Sequence, residues 1–425
     1  MLVLRIITAA TAISDGYDLG VVNGVAMILA KEPHLYTKAT ISCFVAIMAV
    51  FVGIGAFLGG YCSDLLGRKA TLCGSYILLI VGPLLMLFAQ SSLAFLLVGR
   101  SVAGLGIGIG GVVGTVYMAE LSPTKSRGSL VTQEALFLSV GLLLGYLSNY
   151  ALLDVSSATF NDFNFMLGAG AFLPLLCLCG LFFAWKRLPE SPYFERISTQ
   201  TLSTSVFEKF HDFLNCPGSR SALLVGLLQP FCGVGPILYF SDLTFQNHPG
   251  ESTVAITGYA VWIGVTKVSV LCVSTFILMD RINRVTLLLT SSFFLIMAMG
   301  FIGVLFLNNV NDGLLLGAFC CAVGGYAIGW NGVPVVYPSE LLPTRTRTFG
   351  IAFITIMGRI VSVGNSFMYP LVGLDNSAIW FFVFCGFNCV SFVCVYVYAK
   401  ETLNKPLLNE HDDERIEILN HTDEI

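Results

Sequence analysis

Asp15 and Asp18 stand three residues apart inside an otherwise apolar run, and Arg100, Lys267 and Arg359 each lie inside another. An ion in so apolar a setting is costly unless it is paired or faces water, so such groups mark proton relays, ligand contacts or structural ion pairs. The i, i+3 spacing puts Asp15 and Asp18 on one helix face, where each carboxylate makes the other harder to ionise. Other charges gather at the ends of apolar runs: Asp64 with Arg68, Glu120 with Arg127, Asp280 with Arg284, and Glu340 with Arg347. Acids and bases placed there form charge-assisted pairs that hold one arrangement of helix ends and must break for another. Enzyme chemistry has no carrier here, because no nucleophile with its base and no metal-ligand spacing stands out. The run from Gly104 to Gly111 follows no strand and continues into a long apolar stretch. It therefore fits close helix packing through small residues rather than a nucleotide fingerprint. Neither a metal nor a cofactor is expected.

The elements that must hold these charges follow from composition. The chain has 425 residues, 56% of them hydrophobic and 11% charged, with a mean hydropathy of +0.81. Soluble domains carry about 25% charged residues, so this chain cannot clothe a water-facing surface, and a soluble enzyme, a secreted scaffold and a disordered protein are excluded. A net charge of -4 also argues against a nucleic-acid partner. The 13 cysteines are scattered through apolar runs and are expected to act as small buried hydrophobes. The first apolar stretch runs past Asp15 and Asp18 without a cleavage pattern and is expected to be retained.

A helix needs about 20 apolar residues to cross the hydrocarbon. Stretches of that size recur through the chain, among them Ala39 to Ser63, Phe163 to Trp185, Ser221 to Ser241 and Gly313 to Ser339, and they make twelve spans. Seventeen of the 22 Lys and Arg residues fall at one set of span ends, and only Lys31 and Lys38 at the other. Positive charge stays on the cytoplasmic side, so both termini are expected to be cytoplasmic. The charge clusters also repeat. Asp64-x-x-x-Arg68 is answered by Asp280-x-x-x-Arg284 at an offset of 216, and Glu120 with Arg127 is answered by Glu340 with Arg347 at 220. The chain thus divides into an N-terminal six-helix half at 1–185, a linker at 186–220, a C-terminal six-helix half at 221–400 and a tail at 401–425. Two parallel halves of six spans, with a substrate site near the midplane between them, describe the major facilitator architecture.

Asp64-x-x-Gly67-Arg68-Lys, Gly99-Arg100, Tyr117-Met-Ala-Glu-Leu-Ser-Pro123, Arg127-Gly128, Pro189-Glu190-Ser-Pro192, Asp280-Arg281 and the run from Glu340 to Arg347 resemble the signature set of the sugar porter family. The N-terminal half is similar to the proton-coupled polyol and hexose branch. Asn283 stands where the family has glycine, and asparagine is expected to tolerate the same left-handed turn. The resemblance implies an all-α membrane protein with the major facilitator fold, working by alternating access. It implies that Asp18 and Arg100 form a protonation-switched pair; facilitative relatives usually carry asparagine at the aspartate. Asp15 departs from the family's aromatic and is a further candidate for proton coupling. Asp64, Gly67, Arg68, Glu120, Arg127, Glu190, Asp280, Arg284, Glu340, Arg347 and Glu401 are the gating and structural set.

The substrate pocket departs further. The positions where the family grips hydroxyls fall at Ala135, at Gln229-Pro230, at Gly235, at Val268, at Val335 and at Gly358-Arg359, and only Gln229 keeps its chemistry. Nearby polar groups that could rebuild a pocket are Glu134, Asn149, Gln229, Tyr239, Trp330 and Asn331, with Lys267 and Arg359 as cationic additions. Proton-coupled transport of a small polar solute, a sugar or polyol first, is the expected function. Its alternatives are a proton-coupled organic anion transporter, a facilitative uniporter and a nutrient sensor without flux. The expected partners are solute, protons and lipid, with the chain acting as a monomer in the plasma membrane or an organelle membrane.

Overall fold

The computed structural model describes residues 2–30, 37–89, 92–121, 127–152, 160–185, 206–216, 218–246, 253–308, 311–374 and 376–403. In hydrocarbon each backbone N–H and C=O must find a partner within its own segment or on a neighbour, and the described spans are all helical. Five are single helices: α1 (Leu2–Ala30), α2 (Lys38–Leu66), α3 (Arg68–Leu87), α4 (Leu93–Leu121) and α5 (Arg127–Leu152). The sixth span is α6 (Phe160–Ala169) followed by α7 (Phe172–Ala184), and α8 (Val206–Asn215) lies between the halves. The seventh consists of α9 (Ser219–Leu228), a 3-10 turn at Gln229–Cys232 and α10 (Val234–Gln246). Next come α11 (Thr253–Val273), α12 (Arg284–Leu307), and a tenth span broken into α13 (Asp312–Ile328) and α14 (Val333–Leu341). The last two are α15 (Thr344–Met368) and α16 (Ser377–Tyr398). Eleven of the twelve pass as spans by length and apolar composition, and α1 adds 29 residues as the twelfth.

Three of the spans expected to be continuous are therefore interrupted. Pro230 has no N–H to give and Gly233 sits at φ +79, so the seventh span turns there. Gly329 and Gly332 flank the break in the tenth.

Small residues set how closely the helices approach. A Cβ on Gly108 of α4 would collide with the Val52 carbonyl oxygen of α2, and one on Gly106 would stand 3.0 Å from α3 at Leu79. Close packing is thus what the glycine run performs. Between α2 and α3, Gly67 takes φ +88, a conformation that favours glycine. The matching turn differs: Asn283 has φ -54, so the expected left-handed asparagine is not used. The cysteines also differ from expectation, since only Cys177, Cys216 and Cys232 are buried, while Cys43, Cys179, Cys321 and Cys389 are exposed.

The halves meet along α2 with α15, α5 with α11, and α1 with α10. The stretch expected as a polar linker contributes α8, whose Phe210 and Phe213 rings lie 5.3 and 5.6 Å from Phe353 of α15. From the same helix Lys209 reaches Asp64 of α2 at 3.6 Å.

Candidate functional site

A broken helix leaves carbonyls without their usual partners, and here side-chain amides supply them. Gln229 donates to the Trp330 carbonyl at 3.1 Å and to the Tyr326 hydroxyl at 3.3 Å. Asn365 of α15 donates to the Pro230 carbonyl at 2.9 Å, and Asn331, in the other break, donates to Ser139 of α5 at 3.5 Å. The two breaks thus bring polar groups to one place between the halves, where they border a cavity of about 320 Å³. Walls come from α1, α2, α4 and α5 on one side and from the seventh, eighth, tenth and eleventh spans on the other. The halves also touch around it. At one end Asn23 of α1 donates to Ser241 of α10 at 3.0 Å, and Tyr146 of α5 donates to the Leu238 carbonyl at 2.6 Å. At the other, Ala56, Val112 and Val116 pack against Ile351 and Ala352.

Four charged side chains line the cavity: Asp15 and Glu134 from the N-terminal half, Lys267 and Arg359 from the C-terminal half. Asp15 and Arg359 form an ion pair between the halves, Oδ2 to Nη2 3.9 Å. Glu134 accepts a hydrogen bond from Thr115 of α4. Lys267 is 2% exposed. Tyr239 and Asn331 line the same space.

Asp18 faces away from this cavity, into the N-terminal half. There Arg100 of α4 donates from Nη1 to both its carboxylate oxygens, at 3.0 and 3.2 Å. The guanidinium is 1% exposed, lies over the Phe44 ring at 4.7 Å and reaches Met48 Sδ at 3.1 Å. Ser14, Pro83, Ala103 and Gly170 close a small space around Asp18.

At the end of the bundle where α2 and α3 join, Arg68 meets Glu120 at 3.1 Å and Asp64 at 3.6 Å. In the other half Arg284 meets Glu340 at 2.9 Å and donates to the Met279 carbonyl. Glu401 caps α12, accepting the backbone N–H groups of Arg284 and Val285 at 3.0 and 3.1 Å. Arg347 donates to the Leu342 carbonyl at 3.2 Å. These Arg–Glu pairs join helices of one half. Among the described residues Asp280 makes a polar contact from half to half at this end, accepting the Ser129 N–H at 3.0 Å. The Arg127 side chain and Glu190 lie outside the described residues.

A profile of the family described as "Sugar (and other) transporter" matches residues 4–212 and 211–412. The chain belongs to this transporter family. Among its relatives, "Polyol transporter 5" of Arabidopsis thaliana is 26% identical over 95% of this chain and 84% of that protein. "Glucose transporter GlcP" of Staphylococcus epidermidis is 26% identical over 92% of each. The solved structure of the proton:xylose symporter XylE bound to 6-bromo-6-deoxy-D-glucose superposes with a TM-score of 0.82 at 19% identity, over 96% of this chain and 97% of that one. That likeness establishes the major facilitator fold of twelve spans. The family is one of transporters rather than enzymes.

In this transporter the positions that the family resemblance assigns to hydroxyl binding do face the cavity, but with other side chains: Ala135, Gly235, Val335 and Gly358 all line it. Lys267 lines it where Val268 was the aligned position. Six of the eight expected pocket residues border the space: Gln229, Asn331, Glu134, Tyr239, Lys267 and Arg359. The other two point elsewhere. Trp330 is fully buried and donates from its indole nitrogen to Ser292 at 2.8 Å; Asn149 donates to the Gly20 carbonyl at 2.8 Å. Tyr326 and four polar residues of α15, Thr355, Ser362, Asn365 and Ser366, complete the lining. The α15 residues recur at helical spacing around Arg359, a pattern visible in the sequence once that charge is taken as the centre of a polar stripe.

Proposed function

We propose that this transporter carries a sugar or polyol together with a proton, by rocking its two halves about the central cavity. The halves are residues 1–185 and 221–400, joined by 186–220 and followed by the tail at 401–425. Both termini face the cytoplasm, the protein sits in the plasma membrane, and one chain suffices for activity.

The observation that carries the proton step is the Asp18–Arg100 pair at 3.0 Å. A carboxylate and guanidinium held together out of water stabilise each other only while both are charged. A proton on Asp18 cancels one charge, leaves Arg100 without its counter-ion and loosens α1 from α4. Asp15 lies one turn away on the cavity-facing side of α1, so a shift of α1 reaches the solute directly. The solute is held by Gln229, Tyr239, Asn331, Tyr326 and the α15 polar stripe, which together offer amides and hydroxyls to several sugar hydroxyls. Arg68–Glu120 and Arg284–Glu340 keep each half rigid as it rocks.

Thermal-shift screening of the purified protein against sugars, polyols, sugar acids, simple carboxylates and amino acids tests the reading of the cavity. Stabilisation by a polyhydroxylated compound is expected. Stabilisation by an amino acid or a simple carboxylate alone would overturn it.

A further inference from the structure

Four described arginines form the ion pairs given above, and they are of two kinds. Arg68, Arg100 and Arg284 each hold a carboxylate at 2.9 to 3.1 Å. Arg359 stands 3.9 Å from Asp15, beyond hydrogen-bond reach, and its side chain is 29% exposed on the cavity wall. Its planar array of donors matches a carboxylate bidentately and is not taken up by Asp15. Lys267 borders the same space, so two basic side chains lie on the cavity wall.

Among the described lining residues two acids, Asp15 and Glu134, stand with two bases, Lys267 and Arg359, and a change of net charge at this depth is costly. An anion entering alone would upset the balance; an anion entering with one proton would keep it. The acid placed to receive that proton is Asp15, because a solute carboxylate on Arg359 would deprive it of the counter-ion it now has at 3.9 Å. The charged and titratable groups around Asp15 are Asp18 on its own helix, Arg100 on α4, Glu134 on α5, Tyr239 on α10, Lys267 on α11 and Arg359 on α15.

We propose that the solute is an acidic sugar whose carboxylate takes Arg359 over from Asp15 as Asp15 accepts a proton. One O–H bond forms on the Asp15 carboxyl as one breaks in a hydronium ion delivered from the bulk water; the Asp15–Arg359 ion pair is exchanged for an ion pair between Arg359 and the solute, and the charge of the cavity is unchanged. The hydroxyls are held by the amide and hydroxyl groups already named. This inference rests on the cavity being the carrying site and narrows its solute to the acidic members of the sugar class.

The test is titration calorimetry of the full-length protein with glucuronate and gluconate against glucose and sorbitol, in buffers of different ionisation heat. The acids should bind about tenfold or more tightly than their neutral counterparts, with about one proton taken up per acid bound. Arg359→Gln should remove that advantage, and Asp15→Asn should bind glucuronate without proton uptake. Because the wild-type titrations alone report preference and proton uptake, poor folding of either variant leaves the test intact. Glucose or sorbitol binding in preference to the acids would overturn this inference and leave the carrying site standing. Acid binding without proton uptake would overturn the exchange at Asp15, and binding of none of the four would overturn the carrying site as well.

Discussion

Asp280, on the turn before α12, accepts the backbone N–H of Ser129, at the start of α5, at 3.0 Å. The contact joins the two halves at one end of the cavity, and neither residue lines it. Breaking it should bias which end opens without touching the solute. Asp280→Ala is therefore expected to slow uptake while solute affinity stays within about threefold, since a bias between access states need not change intrinsic binding. Rate in proteoliposomes and affinity by titration separate the two, and a large loss of affinity in a folded variant would count against the assignment.

Arg68 and Arg284 occupy matching places and hold Glu120 and Glu340, each 8% exposed. Removing one member of such a pair leaves a buried charge uncompensated, at a cost of about 3 to 5 kcal/mol. Arg68→Ala and Arg284→Ala should each lower the thermal midpoint in detergent markedly. Midpoints close to the wild-type value would mean that the carboxylates find other partners.

Gly108 and Gly74 make a matched comparison. A Cβ on Gly108 meets the backbone of α2, whereas one on Gly74 meets nothing within 4 Å. Gly108→Ala should destabilise by about 1 to 3 kcal/mol, the usual range for overpacking, and Gly74→Ala should be neutral or slightly stabilising because glycine weakens a helix interior. Equal midpoints for the two variants would contradict the close approach of α4 to α2.

Trp330 and Asn331 are neighbours in the chain with opposite surroundings. Trp330→Phe deprives buried Ser292 of its indole partner and should cost about 1 to 3 kcal/mol of stability with solute affinity unchanged. Asn331→Ala removes a lining amide and should weaken solute binding at little cost in stability. Thermal melts and titrations on both variants read this directly, and a solute affinity that depends on Trp330 would place the indole at the site after all.

The twelve spans, the two halves and the partnership of Asp18 with Arg100 were legible in the sequence, since apolar length, repeated charge spacing and family motifs are all local signals. The breaks at Gln229–Cys232 and around Gly329 were harder to read, because a hydropathy average runs smoothly through a turn that neighbouring side chains support. Pro230 and Gly233 were the available hint. The outward turn of Trp330 had no signal, as its partner Ser292 lies 38 residues away on another helix. The pairing of Asp15 with Arg359 joins the first span to the eleventh, and the sequence left a structural ion pair as one of three readings of each charge. Asn283 misled for a different reason: asparagine can adopt a left-handed turn, but the backbone there takes φ -54 and does not need one.

Proton-driven transport through Asp18 is the central claim, and accumulation in proteoliposomes under an imposed pH gradient tests it most directly. With the solute that stabilises the protein, the wild type should concentrate it above the external level when the proton gradient points inward. Asp18→Asn replaces the carboxylate that holds Arg100 at 3.0 Å with a neutral amide, so accumulation should fall well below the wild-type level while exchange of labelled for unlabelled solute persists. Accumulation by Asp18→Asn at the wild-type level would contradict the account.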